Sequence, residues 1–151
     1  MRTTHHTGDR LVFDPERTYS QAEEPTAKPR GFWLSIGDDW RQWCADNDYR
    51  PDGFNHVADF DIDTSDVLVL ATVQAIRDFG EEYRVNTAPY GAIYARWGVD
   101  WTRVARRHSG IVIAPYQWTL RLDGVESWYY TWDCASACIW DLSAVRQAVQ
   151  V

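Results

Sequence analysis

Two short segments hold six of the chain's nine tryptophans, and each sets those rings among small and polar residues. The first runs Lys28-Pro29-Arg30-Gly31-Phe32-Trp33-Leu34-Ser35 and continues through Asp38, Asp39, Trp40, Trp43 and Cys44. The second runs from Trp128 through Trp132-Asp133-Cys134-Ala135-Ser136-Ala137-Cys138 to Trp140. Rings of this size bury much area each, so few of them suffice for the core of a 151-residue chain. An all-core reading leaves the interleaved Arg, Ser, Asp and Cys without a purpose. The mixture instead predicts the walls of a pocket whose flat faces stack on rings such as nucleobases or nicotinamide.

The remaining composition is that of one globular domain, with 45% hydrophobic and 25% charged residues. Residues 1–10 show no apolar periodicity and read as a flexible tail, leaving a single domain over 11–151. A formal net charge of −7 argues against general nucleic-acid binding, which needs clustered cations. The local exception, Arg103, Arg106, Arg107 and His108, reads as a solvated helix face. No apolar run approaches the roughly 20 residues that span a bilayer, and the polar start carries no secretion signal. Three cysteines, an odd number, fit reduced thiols in the cytoplasm. Cys134 and Cys138 have neither a second cysteine pair nor a nearby histidine, so no metal is expected.

Periodicity gives the elements. Leu11–Phe13 reads as a first short strand, residues 14–29 as a long loop, and Gly31–Ser35 as a strand. A helix capped by Asp38 or Asp39 follows, with Trp40, Trp43 and Cys44 on one face. Asp52-Gly53 marks a turn. Phe54–Ile62 alternates as a strand, and its Asp59, Asp61 and Asp63 form the wet side. Val67–Leu70 is apolar throughout, as a strand buried on both faces would be. Thr72 and Asp100 cap two more helices, and Gly110 suits a helix end. Ile111–Ala114 is a strand, residues 84–98 a loop, and Asp123-Gly124 a hairpin turn between 118–122 and 128–132. A last helix covers 142–149. Strands and helices interleave unevenly, which predicts an α+β class.

Common catalytic motifs are absent. There is no Gly-x-Ser-x-Gly elbow, no phosphate-cradling Gly-x-x-x-x-Gly-Lys loop and no Gly-x-Gly-x-x-Gly.

Gly31-Phe32-Trp33-Leu34-Ser35, followed by a helix bearing Trp43-Cys44, resembles the strand-and-helix signature of ADP-ribosyltransferases of the poly-ADP-ribose polymerase type. The likeness covers some fifteen residues. Over nearly its whole length the chain is also similar to small bacterial and phage proteins. These share a Lys-Pro-x-Gly-Leu-Trp-x-Ser segment and a Trp-Asp-Cys-Ala-Ser-Gly-Cys ending.

The first resemblance implies a split, twisted sheet with flanking helices and NAD as substrate. Trp33 would stack on nicotinamide, Arg30 would hold the pyrophosphate, and Ser35 and Ser136 would hold ribose or amide groups. Asp133 would be the catalytic acid where the family usually has Glu, with Glu126 as second choice. The family also places a His or Arg on its first strand; Leu11–Phe13 offers only Arg10 and Arg17 beside it. The implied activity is ADP-ribosyl transfer to a host macromolecule by a phage or bacterial effector. The rival is a non-enzymatic protein that inhibits a host protein through an aromatic, acidic surface.

Overall fold

The computed structural model describes residues 1–49, 54–91 and 96–148. The Asp52-Gly53 turn lies outside them. Nine strands, β1 (Arg2–Thr7), β2 (Phe32–Ser35), β3 (His56–Ile62), β4 (Val67–Leu70), β5 (Arg84–Asn86), β6 (Trp97–Val99), β7 (Gly110–Ile113), β8 (Ser136–Ile139) and β9 (Val145–Gln147), accompany three α-helices. These are α1 (Asp39–Asp46), α2 (Val73–Tyr83) and α3 (Trp101–Ala105). The chain is a single α+β domain with a mixed sheet.

Seven strands form the sheet, in the order β4-β7-β8-β2-β1-β3-β9. Only β4 and β7 are parallel; the other neighbours are antiparallel. Hydrogen bonding runs unbroken through all seven, in place of the expected split, and β5 and β6 make a separate ribbon. In the sheet interior, alternate side chains go to opposite layers. Ile111, Ile113 and Cys138 join a layer with Phe79, Trp101, Trp128 and Trp132. Val112, Ala137 and Ile139 join Phe32, Leu34, Phe60 and Ile62 on the other side. Tryptophan thus concentrates in one layer, the one that also carries the helices α2 and α3.

Several local expectations need correction. Arg2–Thr7 is no tail but a strand paired with both β2 and β3, Thr3 being 1% exposed. Leu11–Phe13 is irregular. Val67–Leu70 lies at the sheet edge, which leaves Val69 40% exposed. The 84–98 segment contributes β5 and β6. Gly110 opens a strand instead of closing a helix. No hairpin forms about Asp123-Gly124. The Asp123 carboxylate accepts from the backbone N–H groups of Val125 (2.9 Å) and Glu126 (3.0 Å), and the flanking aromatics wind into 3-10 turns over Trp118–Leu120 and Ser127–Thr131. The final segment is a 3-10 turn, Leu142–Ala144, followed by β9 rather than a helix. Helices α2 and α3 start where expected, Thr72 and Asp100 accepting from the N–H of Ala75 and Arg103.

The long 14–29 segment is tied to the body of the domain. Trp101 Nε1 donates to the Thr26 carbonyl at 2.9 Å, Thr102 Oγ1 to the Ala22 carbonyl at 3.1 Å, and Thr26 bridges to Val99.

Candidate functional site

The centre of the sheet, β1-β2-β8, forms the floor of a cleft of about 300 Å³. Register sets its floor. Thr4 pairs with Ser35, and Ser35 with Ser136, so three hydroxyl side chains lie in one row across three strands. Farther along β2, Trp33 pairs with Cys138, and His6 on β1 also lines the cleft. Period-two alternation turns Trp33 and Ser35 into the cleft and sends Phe32 and Leu34 into the opposite core layer. Gly31 lets β2 approach this closely: a Cβ there would stand 2.6 Å from Cys138 Sγ and 2.8 Å from the Ile139 carbonyl oxygen.

The walls come from three other pieces. Trp132, Asp133 and Cys134 lie on the segment that leads into β8; Trp40 comes from α1; and Phe54 and Lys28 close the rim. Trp132 packs against Trp33 with centroids 4.9 Å apart. Trp40 stacks on Trp43 at 5.2 Å, nearly parallel, and meets Phe54 edge-on at 5.7 Å. Helix α1 is anchored from the floor. Ser35 Oγ, not an aspartate, accepts the Trp40 N–H (3.2 Å), whereas Asp38 pairs with Arg41 and Asp39 accepts from the Ala135 N–H.

Four of the five residues singled out from the sequence line this cleft: Trp33, Ser35, Asp133 and Ser136. Arg30 does not. Its backbone is held by the Gln21 side chain, through bonds of 2.7 and 2.9 Å, and it is exposed outside the cleft. Lys28, two residues earlier, brings a cation into the cleft instead. Its ammonium lies 5.1 Å from the Trp33 ring centroid and 3.9 Å from Asp133 Oδ2. The other carboxylate oxygen of Asp133 meets Arg121 at 3.4 Å. Ser136 Oγ donates to the Cys134 carbonyl, so both serines already hold local structure.

Glu126, the second candidate acid, is not in the cleft. It is 1% exposed, ion-paired with Arg84 (2.8 Å) and bonded by Trp128 Nε1 (2.7 Å). Burial raises its carboxyl above the usual range.

Two features were not legible beforehand. The first is the histidine pair on β1. His6 shares a hydrogen bond with Thr4 Oγ1 (3.0 Å), and burial and the neighbouring His5 lower its pKa, favouring a neutral ring. His5 lies at the rim, Nδ1 2.8 Å from the Trp33 carbonyl, its ring stacked on Phe32. The second is Trp132 Nε1, the one buried side-chain polar atom without a hydrogen-bond partner among the described residues. Trp132 is 0% exposed, so this donor is shut away from solvent, where leaving it unmade costs about 1–3 kcal/mol.

The three free thiols are buried. Burial, with Asp39 and Asp133 adding to it, pushes Cys134 up to about 12; burial also raises Cys44 and takes Cys138 well above the usual value. The described residues contain no group of three or more His, Cys, Asp or Glu able to hold a metal. Their helices include none long and apolar enough to cross a membrane. Arg103 and Arg107 both pair with Glu82, which offsets the local basic patch. Searches against protein-family models, curated proteins and solved structures give no match to this chain.

Proposed function

We propose that the cleft binds the nicotinamide end of NAD and transfers ADP-ribose to a macromolecular acceptor, on a fold related to ADP-ribosyltransferases. The observation that carries this reading is the convergence of His6, Trp33 and Asp133 on one cleft, with His6 on the first strand of the sheet. The resemblance calls for a His or Arg on the first strand, and His6 on β1 is the candidate for that place. The cleft volume falls at the lower end of small-molecule pockets, which suits a ring and one sugar.

In this reading Trp33 stacks on the nicotinamide ring, and Ser35 and Ser136 hold ribose or amide groups. His6, neutral and able to donate or accept, holds a ribose hydroxyl. Lys28 takes the pyrophosphate role that Arg30 is too far outside to fill. As the glycosidic bond lengthens, its electron pair leaves with neutral nicotinamide and positive charge develops on the ribose. Asp133 stabilises that charge and accepts the proton of the acceptor's nucleophile as the new bond forms. Arg121, at 3.4 Å, holds the carboxylate in place.

The test is a calorimetric titration of NAD into the wild type and Trp33→Ala, with nicotinamide release measured in parallel. Binding that disappears in the variant is the expected result. No binding to the wild type at millimolar NAD removes the reading. One observation favours a second reading, in which the protein docks on a host protein without catalysis. Trp118, Leu122 and Tyr130 are 64%, 84% and 53% exposed, with Arg121 against both rings. Under that reading, capture of a host protein is lost in Trp118→Ala and kept in Trp33→Ala.

A further inference from the structure

The chemistry of the cleft walls specifies more than a flat ligand. Trp33, Trp40 and Phe54 bring aromatic rings to the lining, and Asp133 brings a carboxylate to the same cleft. Ring faces carry negative potential, and a carboxylate beside them reinforces it, so this lining favours a positive charge over a neutral group of equal shape. The chain itself fills that role. The Lys28 ammonium sits over Trp33 at 5.1 Å and beside Asp133 at 3.9 Å, in contact with both elements of the cage. Its side chain is 43% exposed, so water lies open to it as an alternative position.

We infer that the cleft is a cage for an organic cation, and that Lys28 holds the cation position until a positively charged ligand displaces it. This deepens the nicotinamide reading and rests on it for the nature of the ring. The oxidised pyridinium carries the charge, whereas free nicotinamide, the leaving group, does not. The cage therefore holds the substrate form and releases the product form. The Lys28 ammonium swings toward the ligand's phosphates as the ring enters and returns to the ring face when the ring leaves.

The experiment is calorimetric titration of the full chain with three probes: 1-methylnicotinamide, a cation; nicotinamide, its neutral counterpart; and choline, a cation with no ring. The expected result is binding of 1-methylnicotinamide about tenfold or more tighter than nicotinamide, the size of a desolvated cation–π and carboxylate contribution. Lys28→Met removes the internal competitor and is expected to tighten 1-methylnicotinamide several-fold, roughly the strength of the contacts it replaces. The same change should tighten nicotinamide less, since the neutral ring gains the vacated ring face but no relief from a like charge. Asp133→Asn should weaken the cation alone. Choline equal to 1-methylnicotinamide supports the cage and assigns its ligand to alkylammonium compounds; weaker choline supports it and assigns a pyridinium. Equal binding of the charged and neutral rings, or no binding of either, overturns the inference. A clear preference for 1-methylnicotinamide without any binding or cleavage of NAD removes the transferase reading and leaves the cage standing.

Discussion

Gly80 lies inside α2, where replacing glycine by alanine ordinarily gains about 1 kcal/mol. Here the sign should reverse. A Cβ at Gly80 would stand 2.1 Å from Glu126 Oε2 and 2.7 Å from its Cδ. Glu126 has no free volume to retreat into: it is 1% exposed and tied to Arg84 and Trp128. Moving it breaks a buried ion pair and a charge-assisted hydrogen bond, a loss of about 3–5 kcal/mol for a pair with one partner displaced. Subtracting the helix gain leaves a net destabilisation of about 2–4 kcal/mol. For a chain of this size that lowers Tm by roughly 4–16 °C. Thermal and urea unfolding of Gly80→Ala against wild type measure it. The control is the same change in a Glu126→Ala background, where the obstruction is gone and Gly80→Ala should stabilise by about 1 kcal/mol. A Gly80→Ala protein as stable as wild type, or more so, would refute the reasoning. It would mean that Glu126 is not held where its partners put it.

Two further outcomes are expected. At pH 8 a thiol-specific disulfide reagent should find none of the three cysteines of the folded protein and all three after denaturation, since burial raises each pKa. Rapid reaction of native Cys134 would contradict the structure around the cleft wall. For Asp123, the Glu126 N–H foremost, with the Val125 N–H and Arg77, holds the folded carboxyl below its usual 3.8. Its stabilisation is therefore present above the unfolded pKa and lost as pH falls through the lower folded value. Asp123→Ala should cost about 1–2 kcal/mol at neutral pH, and the gap from wild type should close in acid; urea titrations across pH read both.

What the residue pattern reveals here depends on whether an element announces itself through apolar spacing. Helices α2 and α3 do, through Ile76, Phe79 and Tyr83 and through Trp101 and Val104, with capping side chains at the expected places. Strand β1 does not. Arg2-Thr3-Thr4-His5-His6-Thr7 has no apolar alternation, because Thr4 and His6 floor the cleft with hydroxyl and imidazole groups. The available signal was the β-branched threonines, which favour strands. The aromatic stretches after Pro115 carry the same β preference and mislead in the other direction. The Asp123 carboxylate captures two backbone N–H groups there and winds the chain instead. At the cleft, the aromatic-polar segments named Trp33, Ser35, Asp133 and Ser136. They could not separate Lys28 from Arg30, because which of two nearby cations faces inward depends on how Gln21 grips the Arg30 backbone.

The order of strands across the cleft floor has a consequence for how the protein comes into being on the ribosome. The three adjacent strands of that floor are drawn from residues 2–7, 32–35 and 136–139. β1 and β2 thus leave the ribosome well before β8, and β3 covers the other flank of β1 long before β8 can cover that of β2. Until β8 arrives, β2 presents an unpaired edge, and neither the hydroxyl row nor the Trp132–Asp133 wall exists. Contacts between segments so distant in sequence form late and slowly. A chain interrupted before β8 therefore lacks this cleft, which is completed only when β8 pairs with β2.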